Sequence, residues 1–228
     1  MRGALSTISH LLTGDHAVRS LLGLLLVSDL LFLVLNFIPA PASLDRGQLL
    51  LERDQSFSEI FQYLKSFWIA LLFLALVLRR RYAGYLVWAI LFLYFMLDDM
   101  LAFHEWFGYQ WRLRQGGVGS GAQEVGELIG ILLVIVPALI LVGLAHWWGD
   151  RAYRVATLPL FVLVVAMAFF GIGVDKVHGM IEASEAVHIF LGTVEDWGEM
   201  VAVSVVLAYT FALHLSRGTV GSEGMPLR

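Results

Sequence analysis

Long uncharged apolar runs constrain this chain more than any other feature of its sequence. Leu128–Trp148 and Val155–Val174 carry no Asp, Glu, Lys or Arg, and the apolar runs Leu21–Ile38 and Phe61–Leu78 carry one charge each, Asp29 and Lys65. The hydrocarbon core of a bilayer is about 30 Å thick, so about 20 apolar residues in a helix cross it, and only helices or closed barrels satisfy their backbone groups there. Apolar residues make up 59% of the chain and charged ones 15%, against roughly half and a quarter in soluble domains. The expected fold is all-α and polytopic, with about six transmembrane helices. The third span starts near Tyr82 and the sixth ends near Leu215.

Arg and Lys orient the spans. One side collects Arg2, Arg19, Arg79, Arg80, Arg81, Arg151, Arg154, Arg217 and Arg228; the other holds Arg46, Arg53, Lys65, Arg112, Arg114 and Lys176 in loops rich in acids. A bacterial inner-membrane location with both termini cytoplasmic is therefore expected. Residues 1–20 read as a cytoplasmic or interfacial segment, 21–217 as a single transmembrane domain, and 218–228 as a disordered tail. The chain has no cysteine, which removes disulfides and thiolate metal sites. Its net charge of −4 and lack of a basic patch argue against nucleic acid, leaving membrane lipids, partner membrane subunits or a homo-oligomer as partners.

A short motif recurs. Gln123-Glu124-Val125-Gly126-Glu127-Leu128 aligns without gaps on Glu195-Asp196-Trp197-Gly198-Glu199-Met200. Each copy follows a hydrophobic segment ending in acid and then histidine: Asp98-Asp99 with His104-Glu105, and Asp175 with His178. This repeat predicts a duplicated helical-hairpin, four-helix core (about 82–148 and 155–215) with two flanking helices. In the simpler alternative, the repeated glycine packs helices and the acids cap them.

Depth favours an embedded site. Tyr82–Leu97 and Met200–Leu215 each hold only 16 uncharged residues, roughly 24 Å of helix, so the acids that flank them fall at or inside the outer boundary. Ionisable groups there normally face the bundle interior. Asp175/His178 and Glu185/His188 are spaced i,i+3, the chelating unit of carboxylate di-metal bundles; Asp99 to His104 is i,i+5 and needs a bend in the helix. The expected ligands of a divalent metal (zinc, iron, manganese or calcium) are Asp99, His104, Glu127, Asp175, His178, Asp196 and Glu199. Asp98, Glu105, Glu124, Glu195, Glu185, His188 and Glu59 are second-rank or alternate ligands. Asp29, in the middle of span 1, is a separate intramembrane polar candidate that one helix-to-helix hydrogen bond also explains.

Three functions fit this set: a metal-dependent enzyme acting on a lipid or lipid-linked substrate, a non-catalytic subunit or assembly factor stapled by the cluster, and a metal-ion or proton transporter. The acid-rich Glu52–Lys65 segment, Asp98-Asp99 followed by His104-Glu105, and Glu195-Asp196-Trp197-Gly198-Glu199-Met200 together resemble an uncharacterised group of bacterial multi-span membrane proteins. Trp197 stands where that pattern has Gly. The resemblance implies no activity. The i,i+4 His pair of membrane ceramidase-like hydrolases is missing, so their activity is not implied either.

Overall fold

The computed structural model describes residues 2–117, 120–174 and 184–216. These form eight helices: α1 (Arg2–Gly14), α2 (His16–Phe37), α3 (Phe57–Arg80), α4 (Gly84–Leu101), α5 (Phe103–Arg114), α6 (Ser120–Trp148), α7 (Arg151–Ala168) and α8 (Glu185–Leu215). All but α1 and α5 are long and apolar enough to cross a membrane. Asp15, Ser56 and Asp150 start α2, α3 and α7 by accepting backbone N–H groups of their first turns. Such groups have no partner inside the helix.

The bundle is organised around α8. In its most apolar stretch, 67% of the residues are buried, against 17% in α2 and 11% in α6, which lie at the periphery. Helices α2, α3 and α7 pack on α8, and α3 pairs along its length with α4. The half of the bundle nearer Arg79–Arg81 is filled by rings. Phe73 stacks on Tyr85, Trp88 and Phe92, and Tyr153 joins this group by accepting from Trp88 Nε1 at 3.2 Å and donating to the Gly84 carbonyl at 3.1 Å. Aromatic side chains carry the largest apolar area and pack tightly, so this end is solid.

The other half is held by charge. Lys65 and Asp29 have fully buried side chains, and Lys65 Nζ lies 3.0 Å from Asp29 Oδ1. The ammonium also donates to the Met200 carbonyl at 2.8 Å and to Ser204 Oγ at 3.1 Å, and Ser204 donates to Asp29 Oδ2 at 2.6 Å. All three ammonium donors are used, and Trp197 Nε1 donates to the Asp29 carbonyl at 3.2 Å. One ion pair thus ties α2, α3 and α8 together, at roughly 12 Å along each of α2 and α3 from the acid-rich end. This corrects the placement of Lys65 with the outer loops, and Asp29 does more than make one helix-to-helix hydrogen bond.

Helices α5 and α6 form a tight hairpin at the acid-rich end. A Cβ on Gly126 would fall 2.8 Å from the Gly108 backbone and 2.5 Å from Trp111 Cβ, so the two helices approach at a distance only glycine permits. In the second motif copy, a Cβ on Gly198 would fall 2.4 Å from the Phe170 ring. The copies occupy different positions: Gln123–Leu128 opens α6, whereas Glu195–Met200 begins ten residues into α8.

Lys65→Ala leaves the Asp29 carboxylate buried without its cation. A loss of about 3–5 kcal/mol is expected, as for other broken buried pairs, read as a lower thermal midpoint in detergent. Lys65→Met combined with Asp29→Leu should recover most of that loss. A single variant as stable as the parent would show that the pair does not hold the bundle.

Candidate functional site

The site lies where α4 ends and α5 begins. Ala102 adopts left-handed backbone angles (φ 48°, ψ 44°), which terminates α4 and turns the chain into α5. The turn lets Asp98, in the last turn of α4, cap the new helix: its Oδ1 accepts the His104 N–H at 3.1 Å. Its Oδ2 lies 3.0 Å from His104 Nδ1. A carboxylate so placed fixes the imidazole with its proton on Nδ1 and leaves Nε2 to other partners. This bond holds the His104 pKa above its ordinary 6.5, with burial opposing it and the Asp98, Glu105 and Asp99 charges adding to it. Glu105 is exposed on α5, and partial desolvation raises its pKa.

Two cavities flank this turn. A chamber of about 160 Å³ is lined by Glu52, Asp54, Glu59, Asp99, Asp196 and Glu199, with Arg53 its one described cation. Arg53 is itself paired with Asp45 at 2.7 Å. The second cavity, about 310 Å³, lies between α3, α4, α6, α7 and α8. Its deeper wall is apolar, built by residues such as Leu91, Ile135, Val164 and Val203, and its upper end carries Tyr94, Asp98, His104 and Ser66. Leu139, Phe161 and Val165 also line it and are 42%, 41% and 51% exposed on the outside of the bundle. Since α6 and α7 touch little, the cavity opens sideways between them, at a depth where a membrane would present hydrocarbon. Pro137 and Pro159 interrupt the backbone bonding of the two helices beside this opening.

Gln62, Asp99 and Glu199 line both cavities. No donor among the described residues hydrogen-bonds the Asp99 or Glu199 carboxyl group. The polar chamber and the apolar cavity therefore meet at one amide and two acids.

The family assignment rests on residues 15–213, which match the model of a domain of unknown function, DUF8692. The chain belongs to that family. No curated protein and no solved structure matches it. The matched region takes in both cavities and the Lys65–Asp29 pair. It confirms an uncharacterised family, while the particular motifs quoted above stand on the sequence alone.

The expected metal centre is not supported. Among the described residues, no group of three or more His, Asp or Glu side chains is arranged to hold a metal ion. This overturns the divalent-metal reading (zinc, iron, manganese or calcium) and the metal-dependent function built on it. The physical reasons lie in where the side chains go. His104 is taken by Asp98 rather than Asp99. Glu127 accepts from Gln123 Nε2 at 2.9 Å and packs its stem over Gly108 in the α5–α6 hairpin. Asp99, Asp196 and Glu199 do share the chamber, joined by Glu59. Asp175 and His178 lie outside the described residues, as does the side chain of Glu185. Glu124 is exposed, while Glu195 and His188 are half-buried and engaged by neighbours.

Sequence reasoning missed Gln62, Tyr94, Ser204 and the bonding of Trp197. Tyr94 lies one helical turn before Asp98, and that spacing is the signal that could have found it.

The His104–Asp98 pair sets a pH dependence. Because the folded pKa of His104 is raised, its contribution to stability is complete below about 6.5 and lost as pH rises through the higher folded value. Imidazole NMR should give a midpoint above 6.5 for His104, moving down in Asp98→Asn. A midpoint at or below 6.5 in the parent, unmoved by the substitution, would contradict the pairing.

Proposed function

We propose that this chain binds one amphiphilic molecule from the bilayer, with its chain in the apolar cavity and its polar end at the acid-lined chamber. The observation that carries the reading is the shared wall: Gln62, Asp99 and Glu199 belong to both cavities. A lipid-like molecule has the same division, and ligand sites are mostly apolar concavities with a few polar groups that fix orientation. The sideways opening at Leu139, Phe161 and Val165 gives such a molecule a route that never leaves hydrocarbon. Volume agrees, since about 310 Å³ lies within the usual range of roughly 300–1,000 Å³ for small-molecule sites.

The orientation follows from the basic end. Arg79–Arg81, Arg151 and Arg154 support reading that end as the cytoplasmic side of a bacterial inner membrane, with the acid-lined chamber outward and both termini inward. The two motif copies support reading 82–148 and 155–215 as related hairpins, because each sets its glycine against an aromatic side chain of the preceding element: Gly126 on Trp111 and Gly198 on Phe170.

Protein purified from its own membranes in mild detergent should retain about one amphiphile per chain in native mass spectrometry. Val164→Phe with Ala168→Phe fills the cavity from α7 and should lower occupancy about tenfold, while the thermal midpoint falls by only a few degrees. Equal occupancy in the parent and the filled variant would overturn the reading.

A further inference from the structure

We infer that the polar group of the bound amphiphile is a neutral hydroxyl, seated between Tyr94 and His104; this rests on the amphiphile reading above and specifies its ligand. The Tyr94 hydroxyl is buried and has no hydrogen-bond partner, although it lines the apolar cavity. Buried hydroxyls are seldom left unpaired, because desolvation without a bond is costly. The Asp98 carboxylate is close enough to interact with this hydroxyl, but it makes no well-placed hydrogen bond to it, and each of its oxygens is already bonded to His104.

His104 supplies the second half. With its Nδ1–H directed to the Asp98 carboxylate, the neutral ring presents a lone pair on Nε2. That nitrogen has no protein partner among the described residues, and the side chain, which lines the same cavity, is 27% exposed. The polar end of the cavity thus offers the Tyr94 O–H as a donor and His104 Nε2 as an acceptor.

A hydroxyl complements this pair, because it accepts from Tyr94 and donates to His104 at once. An ether or a ketone can only accept and leaves Nε2 unpaired. A carboxylate or phosphate has the same defect and meets the charges of Asp98, Asp99 and Glu105 as well. A protonated amine is the serious rival, since Tyr94 can also accept. However, an ammonium has no lone pair to accept the Tyr94 O–H and would leave it unpaired, even though Asp98, Asp99 and Glu199 line the same cavity. A charge held at these two residues would be drawn back from the water-facing side into the apolar cavity, which is unfavourable. The ligand class is therefore a lipid alcohol.

The test uses the full chain in lipid nanodiscs and three chain-matched probes: a long-chain alcohol, its methyl ether and the corresponding primary amine. Binding is read by native mass spectrometry at a pH above the His104 midpoint, where Nε2 is unprotonated beside Asp98, Asp99 and Glu105. The alcohol should bind about tenfold more tightly than the ether. Tyr94→Phe, which removes only the hydroxyl oxygen, should bring the alcohol down to the level of the ether and leave the ether unchanged. His104→Gln should also weaken the alcohol selectively, with thermal midpoints confirming that both variants fold. Equal binding of alcohol and ether would overturn this inference and leave the amphiphile reading standing. Tightest binding of the amine would overturn it in favour of a cationic head group. Binding of none of the three would overturn both.

Discussion

The arrangement of this bundle depends on one buried ion pair. Lys65 and Asp29 lie among helices at a depth where neither charge can reach water, and every donor of the ammonium is occupied. Such a pair contributes little net stability against an apolar replacement, yet it strongly penalises any arrangement that separates its partners. It therefore fixes the relative register of α2, α3 and α8. The Met200 carbonyl it engages belongs to a residue of the chamber lining, and Glu199 is the neighbour of that residue in the chain. The pair is thus the floor on which the acid-lined chamber stands.

Above that floor the bundle divides by filling. The basic end is packed with rings, and the acid-rich end keeps about 310 Å³ of space between α6, α7 and the central helices. Apolar side chains could have closed that space, and close packing is the usual state of protein interiors. Instead the gap runs from exposed mid-helix residues to a rim of acids, a histidine and a tyrosine. Continuity between a hydrocarbon-facing opening and a polar rim gives the molecule a place for an amphiphile.

Much of this was legible in the sequence, and the rest was hidden for identifiable reasons. Length and apolarity located the six spans, because the bilayer thickness leaves few alternatives. The shortness of the uncharged stretches singled out Asp98, Asp99 and Glu199, and all three line the cavities. Lys65 was misread because it follows an acid-rich loop, and a single charge near a span boundary looks like an interfacial one until its partner is known. The Asp98–His104 bond was invisible to helical spacing. Its six-residue separation closes only because Ala102 leaves the helix with positive φ, and counting by three and four assumes an unbroken helix. The metal reading failed for the same reason: it joined acids and histidines by sequence spacing, while the turn gave His104 to Asp98 and the α5–α6 hairpin carried Glu127 into a packing contact.

The central claim is that the sideways cavity is a ligand site. The most direct measurement is an electron cryo-microscopy map of the protein in nanodiscs of its native lipids, at a resolution that separates acyl chains from side chains. The account predicts elongated density entering between α6 and α7 at Leu139, Phe161 and Val165, and ending beside Tyr94, His104, Gln62 and Glu199. A map in which α6 and α7 close on each other and side chains fill that space would contradict it.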